Sequence, residues 1–169
     1  RNEIEVVGEA DKTMNNFLEY RRQFICPKHP NDNAQLIIGE KLGDGVVGKA
    51  PIMTICSWQY SGGVNMDHSV GAAPVGTTVA HEMGHNFGLY HDDVNPIDPC
   101  DCPDERCIMA SKSGGLRNPT HWSSCSKEQF EDSFLQGMDY CLHNLPSSLG
   151  DSQAECGNGF LEAGEECDC

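Results

Sequence analysis

A chain of 169 residues is about one domain long, yet a hydrophobic content of 38% is low for a well-buried core, so cross-links or metal ions share the stabilising work. A formal charge of −15, from 11 Lys and Arg against 26 Asp and Glu, repels phosphate backbones and argues against nucleic-acid binding. Ten cysteines at irregular, mostly distant spacings read as a disulfide framework, hence an extracellular or lumenal compartment; no apolar run nears the roughly 20 residues of a membrane span, and without a signal peptide the chain reads as an excised internal piece.

In chain order, Ile4 to Val7 reads as a short strand and Lys12 to Arg22 as a helix with Met14, Phe17, Leu18 and Arg21 on one face. After a loop with Pro27 and Pro30, Ala34 to Ile38 is an apolar run of strand length, ended by Gly39. Val46-Val47 and Ile52 to Ile55 suggest further extended chain, and Gly62 to Asp67 alternates in the manner of an edge strand. From Gly76 the pattern turns helical, with Val79, Met83 and Phe87 expected to face the core and Gly88 to stop the helix. Residues 92–125 read as irregular loop pinned by cysteines. Ser126-Lys127-Glu128-Gln129 has capping-box form before the apolar face of Phe130, Phe134 and Leu135. A boundary falls near residue 147, beyond which the composition turns Cys-, Gly- and Glu-rich.

The chemistry concentrates in His81-Glu82-Met83-Gly84-His85-Asn86-Phe87-Gly88-Leu89-Tyr90-His91. Positions four apart share a helix face, so His81 and His85 aim two imidazoles at one metal ion. Gly88 lets the chain turn back and bring His91 in as a third ligand. Three neutral imidazoles leave one zinc position open for water, whose pKa the ion lowers and whose proton Glu82 takes as general base. A bare His-Glu-x-x-His arises readily by chance; the added glycine and third histidine make coincidence improbable. A structural zinc would close its fourth position with Cys or His, and no candidate stands out. Met109, downstream, is expected to form an apolar floor under the ligands. His29, His68, His121 and His143 are expected to take no part in zinc binding. Asp92 either orients the site through hydrogen bonds or is an ordinary solvated aspartate.

The motif, together with His91-Asp92, Cys107-Ile108-Met109, Gly48-Lys49-Ala50-Pro51-Ile52-Met53, Met66-Asp67-His68-Ser69 and Cys141-Leu142-His143-Asn144, resembles the ADAM/adamalysin (reprolysin) branch of the metzincin zinc peptidases. Glu155-Cys156-Gly157-Asn158-Gly159 and Gly164 to Cys169 resemble the opening of that family's disintegrin domain. The resemblance implies an α/β fold: a metzincin-type mixed sheet, five-stranded in the family, with an active-site helix and a disulfide-pinned C-terminal subdomain. Here it is N-terminally truncated, because two strands and a helix precede the segment matching Arg1. It implies a catalytic domain at 1–146, a linker at 147–154 and the start of a disintegrin domain at 155–169. The strand near Gly63 to Met66 would be the edge that pairs with an extended substrate. The family pattern implies disulfides Cys56–Cys141, Cys100–Cys125 and Cys102–Cys107, with Cys26 either free or paired outside this chain.

Two structural calcium sites are also implied, one from Asp32, the Cys141 carbonyl and Asn144, the other from Asn158, the Phe160 carbonyl, Glu162, Glu165 and Asp168; a solvated acidic linker is the alternative for the second. The implied function is a zinc metalloendopeptidase (Zn²⁺, with structural Ca²⁺) that hydrolyses extracellular or membrane-anchored proteins in extended form. The competing function is an adhesion module acting on integrins or other cell-surface partners through the disintegrin region. Either places the parent on the extracellular side, as a type I membrane protein or secreted.

Overall fold

The computed structural model describes residues 4–93, 100–112 and 118–144. Helix α1 (Ala10–Tyr20) runs into a π-helical turn, Arg21–Ile25, and is followed by β1 (Ala34–Ile38), β2 (Gly48–Lys49), β3 (Gly62–Met66), α2 (Ala72–Asn86) and α3 (Ser124–Leu135). The three strands form a mixed sheet in the order β1-β3-β2: β1 runs parallel to β3, and β2 antiparallel to it.

Ile4 to Val7 is not a strand. The Val7 main chain is used by the Thr13 hydroxyl, which accepts from its N–H (3.0 Å) and donates to its C=O (2.7 Å), leaving nothing for a ladder. Those contacts help start α1 at Ala10, two residues before the expected Lys12. Helix α1 buries Ala10, Thr13, Met14, Phe17 and Leu18, and with Ile38, Leu42 and Val64 they make the main core. Arg21 sits with that face, 1% exposed, its guanidinium donating to Asn31 Oδ1 and to the Asn31 and Trp58 carbonyls. Cys26 is buried and free.

The strand Gly62 to Met66 is not the edge. It lies between β1 and β2, and four of its five residues are buried. Its alternation is misleading because Gly62 and Gly63 have no side chains and Asn65 is a buried polar group, 0% exposed. The edge on the site side is β2, two residues long and too short to stand out in sequence. At the opposite edge among the described residues, β1 leaves Ile37 56% exposed. Ile52 to Ile55 adds no strand; it bends through a left-handed Met53 (φ 59°).

Helix α2 begins at Ala72, four residues earlier than expected, since Pro74 is tolerated in a first turn where its missing N–H has no partner anyway. Its deepest face is Val75, Thr78, Glu82, His85 and Asn86 rather than Val79, Met83 and Phe87, which are half-buried. The reason is that the sheet surface beneath is polar, with Asn65 and Gln35 joined by a 2.9 Å hydrogen bond. Helix α3 is capped by Ser123, not Ser126: the Ser123 hydroxyl accepts from the Ser126 N–H at 3.0 Å. Phe130 and Phe134 stay partly exposed and pack with Phe87, while Leu135 is exposed. Disulfides join Cys56 to Cys141, Cys100 to Cys125 and Cys102 to Cys107. The first two close loops of 85 and 25 residues, the kind of loop closure that contributes about 3–5 kcal/mol.

Candidate metal centre

Helix α2 ends in a tight reversal. The Gly88 N–H donates to the His85 carbonyl (2.9 Å) and the Leu89 N–H to the Gly84 carbonyl (3.0 Å), the paired bonds of a Schellman motif. Gly88 holds φ +93°, a conformation costly for residues with a Cβ, and a Cβ there would also stand 2.7 Å from Ser133 Oγ. The chain is thereby turned back along the helix end, and His91 arrives opposite His81 and His85.

The three imidazoles converge. His81 Nε2 lies 3.1 Å and His85 Nε2 3.2 Å from His91 Nε2. His81 Nδ1 donates to the Ile108 carbonyl and His85 Nδ1 to the Leu89 carbonyl, both at 2.7 Å. A carbonyl only accepts, so each Nδ1 carries the hydrogen and each Nε2 turns a lone pair inward. Burial pushes the His85 pKa down to about 4 and also lowers that of His81, so both rings are neutral near pH 7. Both of these lone pairs point toward His91 Nε2, the arrangement that a cation held between the three rings would use. Around a tetrahedral zinc with bonds of about 2.0–2.1 Å, ligand nitrogens stand roughly 3.3 Å apart; the two separations to His91 match this, and all three donors lie within 4.8 Å of one another, so the donor set suits that ion. Among the described residues, no other group of three His, Cys, Asp or Glu offers such a cluster.

Glu82 is 5% exposed, with no hydrogen bond to its carboxylate among the described residues. Burial lifts its pKa to about 8, partly opposed by the charge of Lys49. A divalent ion next to it would pull that value down again. Gly48 of β2 lies directly against it: a Cβ there would meet Oε1, with Cγ at 2.8 Å and Cδ at 2.9 Å. The cleft between has a volume of about 1060 Å³; β2 and Ile52 line one side, His81, Glu82, His85 and His91 the floor, and Ala110 to Lys112 with Pro119 the far wall.

Met109 is fully buried, and its sulfur would lie 2.6 Å from a Cβ on Gly84. Its carbonyl accepts the Asp92 N–H at 3.0 Å. The Asp92 carboxylate is bonded rather than solvated: Oδ1 accepts from the Ser123 hydroxyl (2.5 Å) and the Ser126 hydroxyl (3.3 Å), tying the His91 segment to the start of α3. The neighbouring Asp93 carboxylate, held below the usual range by Ser111, ties the same segment to the far wall. None of the other described histidines joins the cluster: His68 bonds Thr78, His121 pairs with Asp104, and His143 with Asp139. Asp32 and Asn144 are exposed, and the charge of Asp32 acts on Arg21; Cys141 is bonded to Cys56. Asn158, Phe160, Glu162, Glu165 and Asp168 lie outside the described residues. Sequence reasoning passed over Gly48, Asp93 and Asn86, whose roles come from partners distant in the chain.

A mixed sheet, a helix carrying two of three converging imidazoles and a glutamate between them define a metalloprotease-type domain. The sequence profile described as "Reprolysin (M12B) family zinc metalloprotease" matches residues 1–146, and the chain belongs to this family. Among curated relatives, "Disintegrin and metalloproteinase domain-containing protein adm-2" of Caenorhabditis elegans is 43% identical over 99% of this chain. Proteins 15 of Homo sapiens and 12 of Mus musculus, of the same descriptive name, are each 40% identical over 100% and 98% of it. The chain spans 17–20% of the length of these relatives. The disulfides accord with an extracellular domain, and no described helix is long and apolar enough to cross a membrane.

Proposed function

We propose that the chain is the catalytic part of a zinc endopeptidase acting on extracellular or membrane-anchored proteins, with His81, His85 and His91 as metal ligands and Glu82 as general base. The observation that carries this reading is the convergence of three imidazole Nε2 atoms, next to a carboxylate that has no hydrogen-bond partner among the described residues, at the floor of an open cleft. A zinc ion held there supplies Lewis acidity and an acidified water. Glu82 receives the proton of the attacking water and passes it to the leaving amine. The edge of β2, unpaired among the described residues, offers main-chain N–H and C=O groups to an extended substrate, which holds it across the cleft whatever its side chains. Met109, buried against Gly84 of the ligand-bearing helix and bonded through its carbonyl to the Asp92 N–H beside His91, acts as the apolar support of the site.

The domain organisation proposed is a catalytic unit at 1–146, a linker at 147–154 and the start of a disintegrin unit at 155–169; the profile match ending at 146 supports the first boundary. Calcium at Asp32, the Cys141 carbonyl and Asn144, and at Asn158, the Phe160 carbonyl, Glu162, Glu165 and Asp168, is a subsidiary proposal resting on the resemblance, as are integrin-type partners and a secreted or type I membrane parent. Calcium titration with melting read-out on wild type and Asp32→Ala tests the first set; equal responses refute it.

The central test uses the parent protein. Zinc content and cleavage of a quenched peptide are measured for wild type and Glu82→Ala. Equal cleavage by the two removes Glu82 from its role, and a wild type that binds no zinc removes the reading altogether.

A further inference from the structure

Asn86, next to the second histidine, has no part in zinc ligation, yet its side chain is fully buried and every polar atom of it is used. The two hydrogens of its Nδ2 are shared among the Pro51 carbonyl (3.0 Å), Thr54 Oγ1 (3.0 Å) and the Gly62 carbonyl (3.1 Å). Its Oδ1 accepts from Asn33 Nδ2 (2.6 Å) and Gln35 Nε2 (3.1 Å). The main chain of the same turn adds three bonds: the Met53 N–H donates to the His85 carbonyl (2.9 Å), and the Thr54 and Ile55 N–H groups to the Asn86 carbonyl (2.8 Å each). The last turn of α2 is therefore fastened to residues 51–55, the segment that leaves β2 directly after Lys49.

That segment is held in a costly shape. Met53 (φ 59°) and Cys56 (φ 68°) both occupy the left-handed region without being glycine, a conformation that costs of order 1 kcal/mol or more each and persists only where surrounding contacts over-determine it. The contacts that do so at Met53 and Thr54 belong to the His85-Asn86 turn; those at Cys56 are its disulfide to Cys141. Ile52, between the Pro51 and Met53 attachments, lines the cleft. The segment thus joins the edge that offers main-chain groups to the helix that carries the ligands.

We infer that Asn86 is a positioning residue for substrate: its carboxamide sets the separation between the β2 edge, where an extended peptide pairs, and the His81-Glu82-His85 face, where that peptide is cut. The inference rests on the peptidase reading above. If Asn86 loosens, the zinc ligands stay in place, since His81 and His85 are oriented by the Ile108 and Leu89 carbonyls. What slips is the β2 edge relative to the metal. A peptide long enough to pair with β2 then loses its advantage over one too short to do so. A residue that merely stabilised the fold would lower the melting temperature and leave that advantage alone.

The experiment compares the parent protein with Asn86→Asp and the milder, nearly isosteric Thr54→Val. Zinc per chain, and kcat and KM, are measured for an eight-residue and a four-residue quenched peptide sharing one scissile bond. Binding of the eight-residue peptide is also measured by calorimetry to the zinc-loaded proteins in a Glu82→Gln background. Zinc stays at one per chain. The long-to-short ratio of kcat/KM falls about tenfold in Asn86→Asp and a few-fold in Thr54→Val, mainly through KM on the long peptide, a modest form of the loss that a misplaced substrate brings. A variant that folds, binds zinc and keeps the wild-type ratio and wild-type peptide affinity overturns the inference. If Asn86→Asp does not fold, Thr54→Val decides by the same ratio. A wild type that binds the peptide without cutting it defeats the peptidase reading, while the calorimetric arm still decides for or against Asn86.

Discussion

Replacing Gly48 by alanine isolates one contact of the candidate site. Gly48 does not occupy the left-handed region, so alanine adds no backbone strain, and the effect is steric. The new Cβ would stand 2.8 Å from Glu82 Cγ and 2.9 Å from Cδ, where ordinary contact begins near 3.4 Å. Glu82 or β2 must therefore give way by about half an ångström or more, with overpacking of this kind costing about 1–3 kcal/mol of stability. The three histidines lie outside the contact, and His81 and His85 keep their carbonyl partners. The expected outcome is wild-type zinc content, a melting temperature a few degrees lower, and kcat/KM reduced by roughly 10²-fold, since a misplacement of about 1 Å at a reacting group costs that much. The assay is cleavage of a quenched peptide by the parent protein and Gly48→Ala at matched zinc loading. Gly76→Ala serves as control, because a Cβ there meets nothing within 4 Å in the same active-site helix. Cleavage by Gly48→Ala within twofold of wild type refutes the claim that β2 and Glu82 are in close register.

Three further outcomes are expected. Gly88→Ala, forced to φ +93° against Ser133 Oγ and Met53 Cγ, loses about 1–3 kcal/mol of stability and binds zinc more weakly, read by denaturant unfolding and a competing chelator. In the zinc-free chain the Glu82 pKa is raised to about 8 from an ordinary 4.5, so its contribution is fully present below about pH 4.5 and lost as pH rises through about 8; Glu82→Gln abolishes that alkaline decline, followed by melting in chelator across pH 5–9. Ser123→Ala removes the cap of α3 and a donor to the Asp92 carboxylate, so it costs about 1–2 kcal/mol and lowers zinc affinity, whereas a pure cap would change stability alone; unfolding and zinc competition separate the two.

How far the site was legible in sequence follows from how local each feature is. Two histidines one helical turn apart, a glutamate between them, a glycine that must turn the chain back and a third histidine just beyond make a signal within eleven residues, because helix geometry alone brings the first pair together. The fold class and the three cysteine pairings were implied by resemblance. The cap of α3 lies three residues before the expected one because Ser123 and Ser126 are equally good cap types, and only the extended backbone at Ser123, whose hydroxyl accepts the Ser126 N–H, distinguishes them. The strand Gly62–Met66 was misread as an edge because its glycines mimic the polar half of an alternation while making room for neighbouring strands on both sides.

By itself, then, the sequence singled out the residues proposed to hold the metal and to move a proton, since those roles depend on side-chain chemistry at helical spacing. The tertiary structure alone decided what surrounds them. Gly48 reaches Glu82 across 34 positions, Asn86 reaches Pro51 and Asn33 across 35 and 53, and Asp92 reaches Ser123 across 31. Contacts between residues that far apart leave no local periodicity or spacing to read, and they exist only once the sheet, α2 and α3 have packed.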